Sequence, residues 1–318
     1  MLGLMHIPDG FLAPTVAAAT WAVSAATVGA ALRAERRDPQ PMPAGILGSL
    51  AAFVFAAQMI NVPVAAGTSG HLLGATLAVM IVGPWRAILV LAIVLAVQAV
   101  LFQDGGIAAL GANLFDMGVA APLAGYAGAR LAGRLVGGTR GLAAGAVLGA
   151  FGATLAAATL TAAWLALSGL YPLKGILPAL LLTHVAIGIL EAGLTGAIIA
   201  TLLRWRPDLV RGLDREPARS HSTPLALGLL AIGLAIAAFV APFASTLPDG
   251  FDHTAERLGL AGRATALMPA PFPDYLLPLP VSAGVAVAAA GLIGTLLVAA
   301  IAWAVSRRLA APSDAVHR

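Results

Sequence analysis

Nine runs of mostly apolar residues dominate this sequence: Ala13 to Leu32, Ala44 to Ile60, Leu72 to Val82, Ala87 to Phe102, Met117 to Leu135, Gly141 to Leu167, Leu177 to Leu203, Pro224 to Ala244 and Leu276 to Val305. Crossing a bilayer takes about 20 mostly apolar residues, and in lipid only helices or closed barrels satisfy every backbone group. The runs are too long and continuous for barrel strands. The chain is therefore read as an all-α integral membrane protein, a seven-span helix bundle followed by a two-span C-terminal hairpin. The third run is short and lies between His71 and Gly83-Pro84, so it is expected to be tilted, broken or partly re-entrant. Only 10% of the 318 residues are charged, far below the quarter or so of a soluble domain. That excludes a soluble enzyme.

The net charge of +4 invites a nucleic-acid reading, but the placement of the charges answers it. Lys and Arg concentrate in cytoplasmic connections. With the N-terminus outside and nine spans, Arg33, Arg36, Arg37, Arg86, Arg130, Arg134, Arg140, Arg204, Arg206, Arg211, Arg215, Arg219, Arg307, Arg308 and Arg318 fall on one side, 15 of 18 basic residues. Lys174, Arg257 and Arg263 fall on the other. This predicts an N-out, C-in, multi-pass protein of the cytoplasmic membrane, with membrane lipid and not nucleic acid around it.

Met1 to Gly10 has no basic region ahead of the first apolar run, so no cleavable signal is expected and the first span stays. Residues 204–223, with Pro207, Pro217 and clustered charge, read as a cytoplasmic linker between a membrane domain over 1–203 and an accessory domain over 224–318. Abundant Ala and Gly let membrane helices approach closely.

Unusual polar residues gather in the outward segments: Met5-His6-Ile7-Pro8-Asp9-Gly10, Asn61-Val62-Pro63 with Gly67 to His71, Gln103-Asp104-Gly105-Gly106 with Gly111 to Asn113, and Pro248 to Asp252. Non-helical backbone at membrane depth survives only where protein or a water-filled cavity covers it. A polar cavity opening outward is the implied site.

With no cysteine in the chain, metal chemistry falls to His, carboxylate, hydroxyl and backbone donors. A histidine next to a free N-terminal amine can chelate a divalent ion through the amine, its own amide and imidazole Nδ1, and a second imidazole completes four nitrogens. Such a set suits Ni(II) or Cu(II) and can accommodate Co(II). Met5 and His6 would supply the chelate and His71 the fourth ligand, which requires Met5 to be the functional N-terminus. The same histidines fit plainer roles, His6 as an interfacial polar residue and His71 as a hydrogen-bonded helix start.

MHIPDGFL (Met5 to Leu12), QMINVPVAAGTSGHLLGATLA (Gln58 to Ala78) and VQAVLFQDGGIAALGANLFDMG (Val97 to Gly118) closely resemble the CbiM/NikM family, the substrate-binding membrane subunits of energy-coupling-factor transporters for cobalt and nickel. The resemblance runs over roughly Met5 to Leu203. It implies metal ligands at Met5, His6 and His71. It also implies a transported ion, Ni²⁺ or Co²⁺, rather than a cofactor, and partners in a transmembrane coupling subunit and a pair of ATP-binding subunits. The chain lacks a GxxxxGK[ST] loop, so it is not expected to hydrolyse ATP alone, and as a transport component it is not expected to be an enzyme. LPDGFDHTAERLG, Leu247 to Gly259, resembles the PDGLE motif of the family's small accessory subunits, with Phe251 and Asp252 in place of Leu and Glu. Asp249, Asp252, His253 and Glu256 then form a loading loop, or alternatively a solvated one. Fusion to this hairpin tilts the metal toward nickel.

Asp9 is expected to close the N-terminal turn. Gln58, Asn61, Ser69, Gln103, Asp104 and Asn113 are expected to support the loops and orient His71. His184 and Glu191, seven residues apart, share one face of the seventh span, and Glu191 is assigned a buried hydrogen-bond or coupling role below the site. Trp85, Trp164 and Tyr171 fit interfacial anchoring. Two rivals remain. Gly67-Thr68-Ser69-Gly70 fits the GxSG pattern of a rhomboid-like intramembrane serine protease, with Ser69 as nucleophile and His184 as base. A self-sufficient secondary metal transporter would instead use inverted repeats and midplane broken helices.

Overall fold

The computed structural model describes residues 6–38, 42–65, 67–210 and 222–310. Met5, the linker residues 211–221 and the C-terminal 311–318 lie outside the described residues. Helices dominate: α1 (Pro14–Arg37), α2 (Ala44–Gln58), α3 (Ala75–Val82), α4 (Pro84–Val97), α5 (Leu110–Asn113), α6 (Ala121–Val136), α7 (Gly138–Leu167), α8 (Leu173–Trp205), α9 (Ser222–Ala235), α10 (Gly250–Arg257) and α11 (Ala283–Ala310). α4 runs on through a π-turn at Gln98–Phe102, and a π-turn at Leu114–Ala120 joins α5 to α6. Two-residue strands β1 (Val62–Pro63) and β2 (Ser69–Gly70) pair antiparallel, with Val62 opposite Gly70. Six helices among the described residues are long and apolar enough to cross a membrane. The protein is an all-α membrane protein.

The apolar runs became helices with two instructive departures. The third run yields only α3, which begins after left-handed Gly74 (φ 74°) and stops at Gly83 (φ 85°). Eight residues rise about 12 Å, well short of the roughly 30 Å hydrocarbon core, so α3 is a buried half-helix and His71 sits on the extended chain leading into it. The ninth run starts helical at Ala283 and not Leu276, because Pro278 and Pro280 remove donors and bar the helical region before them.

α7 packs along α6 on one side and α8 on the other, while α2 lies between α9 and α11. The α6–α7 crossing is as close as backbones allow. A Cβ on Gly149 would stand 2.7 Å from the Gly125 carbonyl oxygen. At the junction of α3 and α4, buried Arg86 donates to Glu35 at 2.6 Å and to Asp38 at 2.7 Å, tying α4 to the end of α1.

The C-terminal hairpin does not stand apart. Its connecting region folds back over the loop end of the bundle, where Ser69 N–H donates to the Pro248 carbonyl at 2.8 Å, Ser245 N–H to Asn61 at 2.8 Å and Thr265 N–H to Asp9 at 3.0 Å. Every polar motif singled out in the loops therefore converges on one end of the molecule.

Candidate metal site

His6 lies on the extended segment before α1, and three anchors fix that segment. Asn113 clasps Ile7 from both sides, accepting its N–H and donating to its carbonyl, each at 3.0 Å. Gly106 N–H donates to the Ile7 carbonyl at 2.9 Å. Asp9 does not close its own turn, as expected from sequence. Its carboxylate instead accepts from Ile107 N–H at 3.1 Å and Ala108 N–H at 2.7 Å, capping the chain that enters α5.

The His6 side chain is buried, with Nδ1 2.6 Å from Asp104 Oδ1. Asp104 follows Gln103, a left-handed residue (φ 57°) that ends the π-turn of α4 and turns the chain toward His6. Burial opposes the imidazolium, but the Asp104 carboxylate outweighs it and holds the His6 pKa above its ordinary value. Asp104 itself is pulled below the ordinary carboxylate value by His6 despite its burial. His6 Nε2 is buried without a hydrogen-bond partner. A buried ring nitrogen without a partner is a candidate ligand position.

His71 faces it. The rings stand 6.1 Å apart, tilted by 57°. His71 Nδ1 lies 3.3 Å from the Leu72 carbonyl, which leaves Nε2 for another partner. Burial and the neighbouring His6 push the His71 pKa down to about 4. The segment is held from beneath. Glu191 on α8 accepts from Leu73 N–H at 2.7 Å and Gly74 N–H at 3.0 Å, and Gln58 Nε2 donates to the Leu73 carbonyl at 2.9 Å with Gln98 behind it. Glu191 thus has its buried hydrogen-bond role, but directly against the His71 segment and not remote from it.

Both histidines line one cavity of about 70 Å³, together with Asn113, Asp116, His184 and Asp249. An imidazole nitrogen binds a divalent transition ion at about 2.0–2.1 Å, and with about 1 Å from nitrogen to ring centre two imidazoles on one ion place their centres about 6 Å apart at opposite positions and about 4.5 Å apart at adjacent ones. The observed 6.1 Å matches opposite positions and exceeds adjacent ones. Among the described residues no three His, Cys, Asp or Glu side chains gather at metal-ligand spacing, so a full set needs donors beyond these two rings.

Other expected residues divide clearly. Asp104 and Asn113 act on the His6 segment and Gln58 on that of His71, whereas Gln103 lines a separate small cavity with Pro8 and Thr265. Asn61 contributes its backbone carbonyl to the C-terminal region. Ser69 Oγ donates to the Leu247 carbonyl at 2.7 Å, and His184 Nδ1 meets the Leu180 carbonyl at 2.8 Å. Both are capped by backbone, which is not the pairing of a nucleophile with its base. In the PDGLE-like segment, Asp249 caps α10 by accepting from Phe251 and Asp252 N–H at 2.8 Å each. Asp249 and Phe251 reach the cavity, and Phe251 packs on Phe11. Asp252 is buried, His253 half-buried and Glu256 exposed. Burial and the Asp252 charge push the Asp249 pKa up to about 8. Trp164 lies half-buried near the end of α7. Its Nε1 donates to Asp116 Oδ1 at 2.7 Å inside the bundle, a contact unforeseen from sequence although a lone acid in an apolar run is the signal for it.

Fold and site together define a helical membrane protein whose loop end brings two histidines to one small cavity. Comparison with known proteins narrows that class. Residues 6–209 match the CbiM family, described as the cobalt uptake substrate-specific transmembrane region, and residues 223–311 match the PDGLE domain. The chain belongs to the CbiM family of cobalt and nickel transport proteins and carries a PDGLE domain fused at its C-terminus. It is 32% identical over 307 residues to a fused NikMN protein of Archaeoglobus fulgidus, covering 95% of this chain and 98% of the other. It is 31% identical over 312 residues to the fused nickel transport protein NikMN of Rhodobacter capsulatus, covering 85% and 88%. A crystal structure of a transition metal transporter aligns with a TM-score of 0.56 at 36% identity, covering 63% of this chain and 92% of that one.

Proposed function

We propose that this chain is the substrate-specific component of an energy-coupling-factor importer of Ni²⁺ or Co²⁺ in the cytoplasmic membrane, capturing the ion on the outer face at Met5, His6 and His71. The observation that carries the reading is the facing pair of His6 and His71 across one cavity, 6.1 Å between ring centres. With Met5 as the functional N-terminus, its amine and the His6 amide complete the nitrogen set. This chelate takes Nδ1 of His6 for the metal, whereas in the structure Nδ1 meets Asp104. Loading therefore turns the ring over and hands the other ring N–H to Asp104, since a metal-bound imidazole keeps one N–H for a carboxylate.

Residues 1–203 form the metal-binding domain, 204–223 the linker and 224–318 the accessory domain. The N-terminus is outside and the C-terminus cytoplasmic, as the partition of basic residues indicates. Energy comes from a coupling subunit and a pair of ATP-binding subunits. The segment carrying Asp249 and Phe251, with Asp252, His253 and Glu256 behind it, covers the cavity and promotes loading. Nickel is the favoured cargo, because the relatives that share the fused arrangement are named for nickel transport. The test is Ni²⁺ and Co²⁺ binding to purified protein, in which His6→Ala and His71→Ala each abolish binding. Stoichiometric binding by either variant overturns the site.

A further inference from the structure

The metal-site histidine is held, at one remove, by the accessory domain. Tyr275 lies within the PDGLE domain, yet its hydroxyl is buried in the membrane domain, donating to Asp104 Oδ2 at 2.6 Å. The other oxygen of that carboxylate meets His6 Nδ1 at 2.6 Å. A continuous path, Tyr275 to Asp104 to His6, thus joins the fused domain to the proposed ligand.

The path is firmly built. The Tyr275 ring stacks on Phe102 at 4.7 Å and 20°, and Phe55 and Phe272 close the same aromatic nest. Phe272 N–H donates to the Leu101 carbonyl at 2.9 Å, pinning the segment to the end of α4. Asp274 (φ 55°) and Tyr275 (φ 58°) are both left-handed, as is Gln103 (φ 57°) beside Asp104. Bulky non-glycine residues adopt that region only where surrounding structure forces them. Here left-handed backbone stands on both sides of the Tyr275–Asp104 hydrogen bond.

Resting on the metal-binding reading above, we propose that Tyr275 is a positioning residue for the metal site: its hydroxyl fixes the Asp104 carboxylate, which fixes the His6 ring. In the structure the ring nitrogen that meets Asp104 is Nδ1, and Nε2 is left without a partner. Partners of this kind are worth about 10- to 100-fold in metal affinity. The fused domain would then contribute to holding the ion as well as covering it.

Tyr275→Phe keeps the stacked ring and removes only the hydroxyl. Ni²⁺ titration of the purified full chain should show about 10-fold weaker binding, with an altered ligand-field absorption spectrum of the bound ion. Because Tyr275 acts through Asp104, the double variant Tyr275→Phe with Asp104→Asn should bind no more weakly than Asp104→Asn alone. Wild-type affinity and spectrum in Tyr275→Phe, or losses that multiply in the double variant, overturn the proposal. His71→Ala in the same series separates the two claims. Loss of metal there with no effect of Tyr275→Phe removes the relay alone, whereas undiminished binding by His71→Ala removes both.

Discussion

Asp104 Oδ1 lies 2.6 Å from His6 Nδ1, with both side chains buried. The pair sets how the site responds to acid. His6 keeps its proton to higher pH than a free imidazole, whose pKa is about 6.5, while His71, pushed down to about 4, is neutral throughout that range. Metal must displace the His6 proton, so Ni²⁺ affinity falls as pH drops, beginning above pH 6.5 or so. The pair itself stabilises the metal-free fold below the unfolded histidine pKa, and that stabilisation is lost as pH rises through the raised folded value. Calorimetric titration across pH should show the acid limb of Asp104→Asn moved to lower pH, with affinity on the alkaline side down about 10- to 100-fold. An acid limb unchanged by the substitution contradicts the assignment.

Glu191 holds two backbone N–H groups of the His71 segment. Glu191→Ala leaves both buried and unsatisfied, at about 1–3 kcal/mol each. Thermal unfolding in detergent should shift downward, and Ni²⁺ binding should weaken although Glu191 is not a ligand. Unchanged melting would show that the segment is fixed by other contacts.

Arg86 is buried between Glu35 and Asp38. Removing one partner of a buried ion pair leaves an uncompensated charge, which costs about 3–5 kcal/mol. Arg86→Ala is expected to be among the most destabilising single changes in the chain, as read by thermal unfolding. Arg86→Met, of similar length, should not rescue it while Glu35 remains.

Gly106 carries one of the three anchors of the His6 segment. A Cβ there would fall on the Asp9 backbone nitrogen and carboxylate. Gly106→Ala should therefore displace the segment and cost metal binding, with helix content by circular dichroism intact. Full binding by this variant would mean that the His6 segment tolerates movement.

Long apolar runs made the helices legible, because each backbone group must be satisfied inside its own segment in lipid. His6, His71, Asp104, Asn113 and Asp249 also came from sequence, since polar residues beside Gly and Pro at span ends signal covered loops. Pairings across the chain did not. Asp104 serves His6 rather than His71, and Asp9 holds the turn at Ile107 and Ala108, because which loop meets which depends on helix packing and not on local pattern. Tyr275 gave no signal at all: an aromatic in a proline-rich connection looks like a surface residue until left-handed backbone turns it inward.

One ion held between His6 and His71 is the centre of the site, and equilibrium Ni²⁺ and Co²⁺ binding to the purified full chain tests it most directly. One ion per chain is expected for the wild type and none for His6→Ala or His71→Ala, with helix content unchanged in both. Stoichiometric metal in either folded variant would contradict the site.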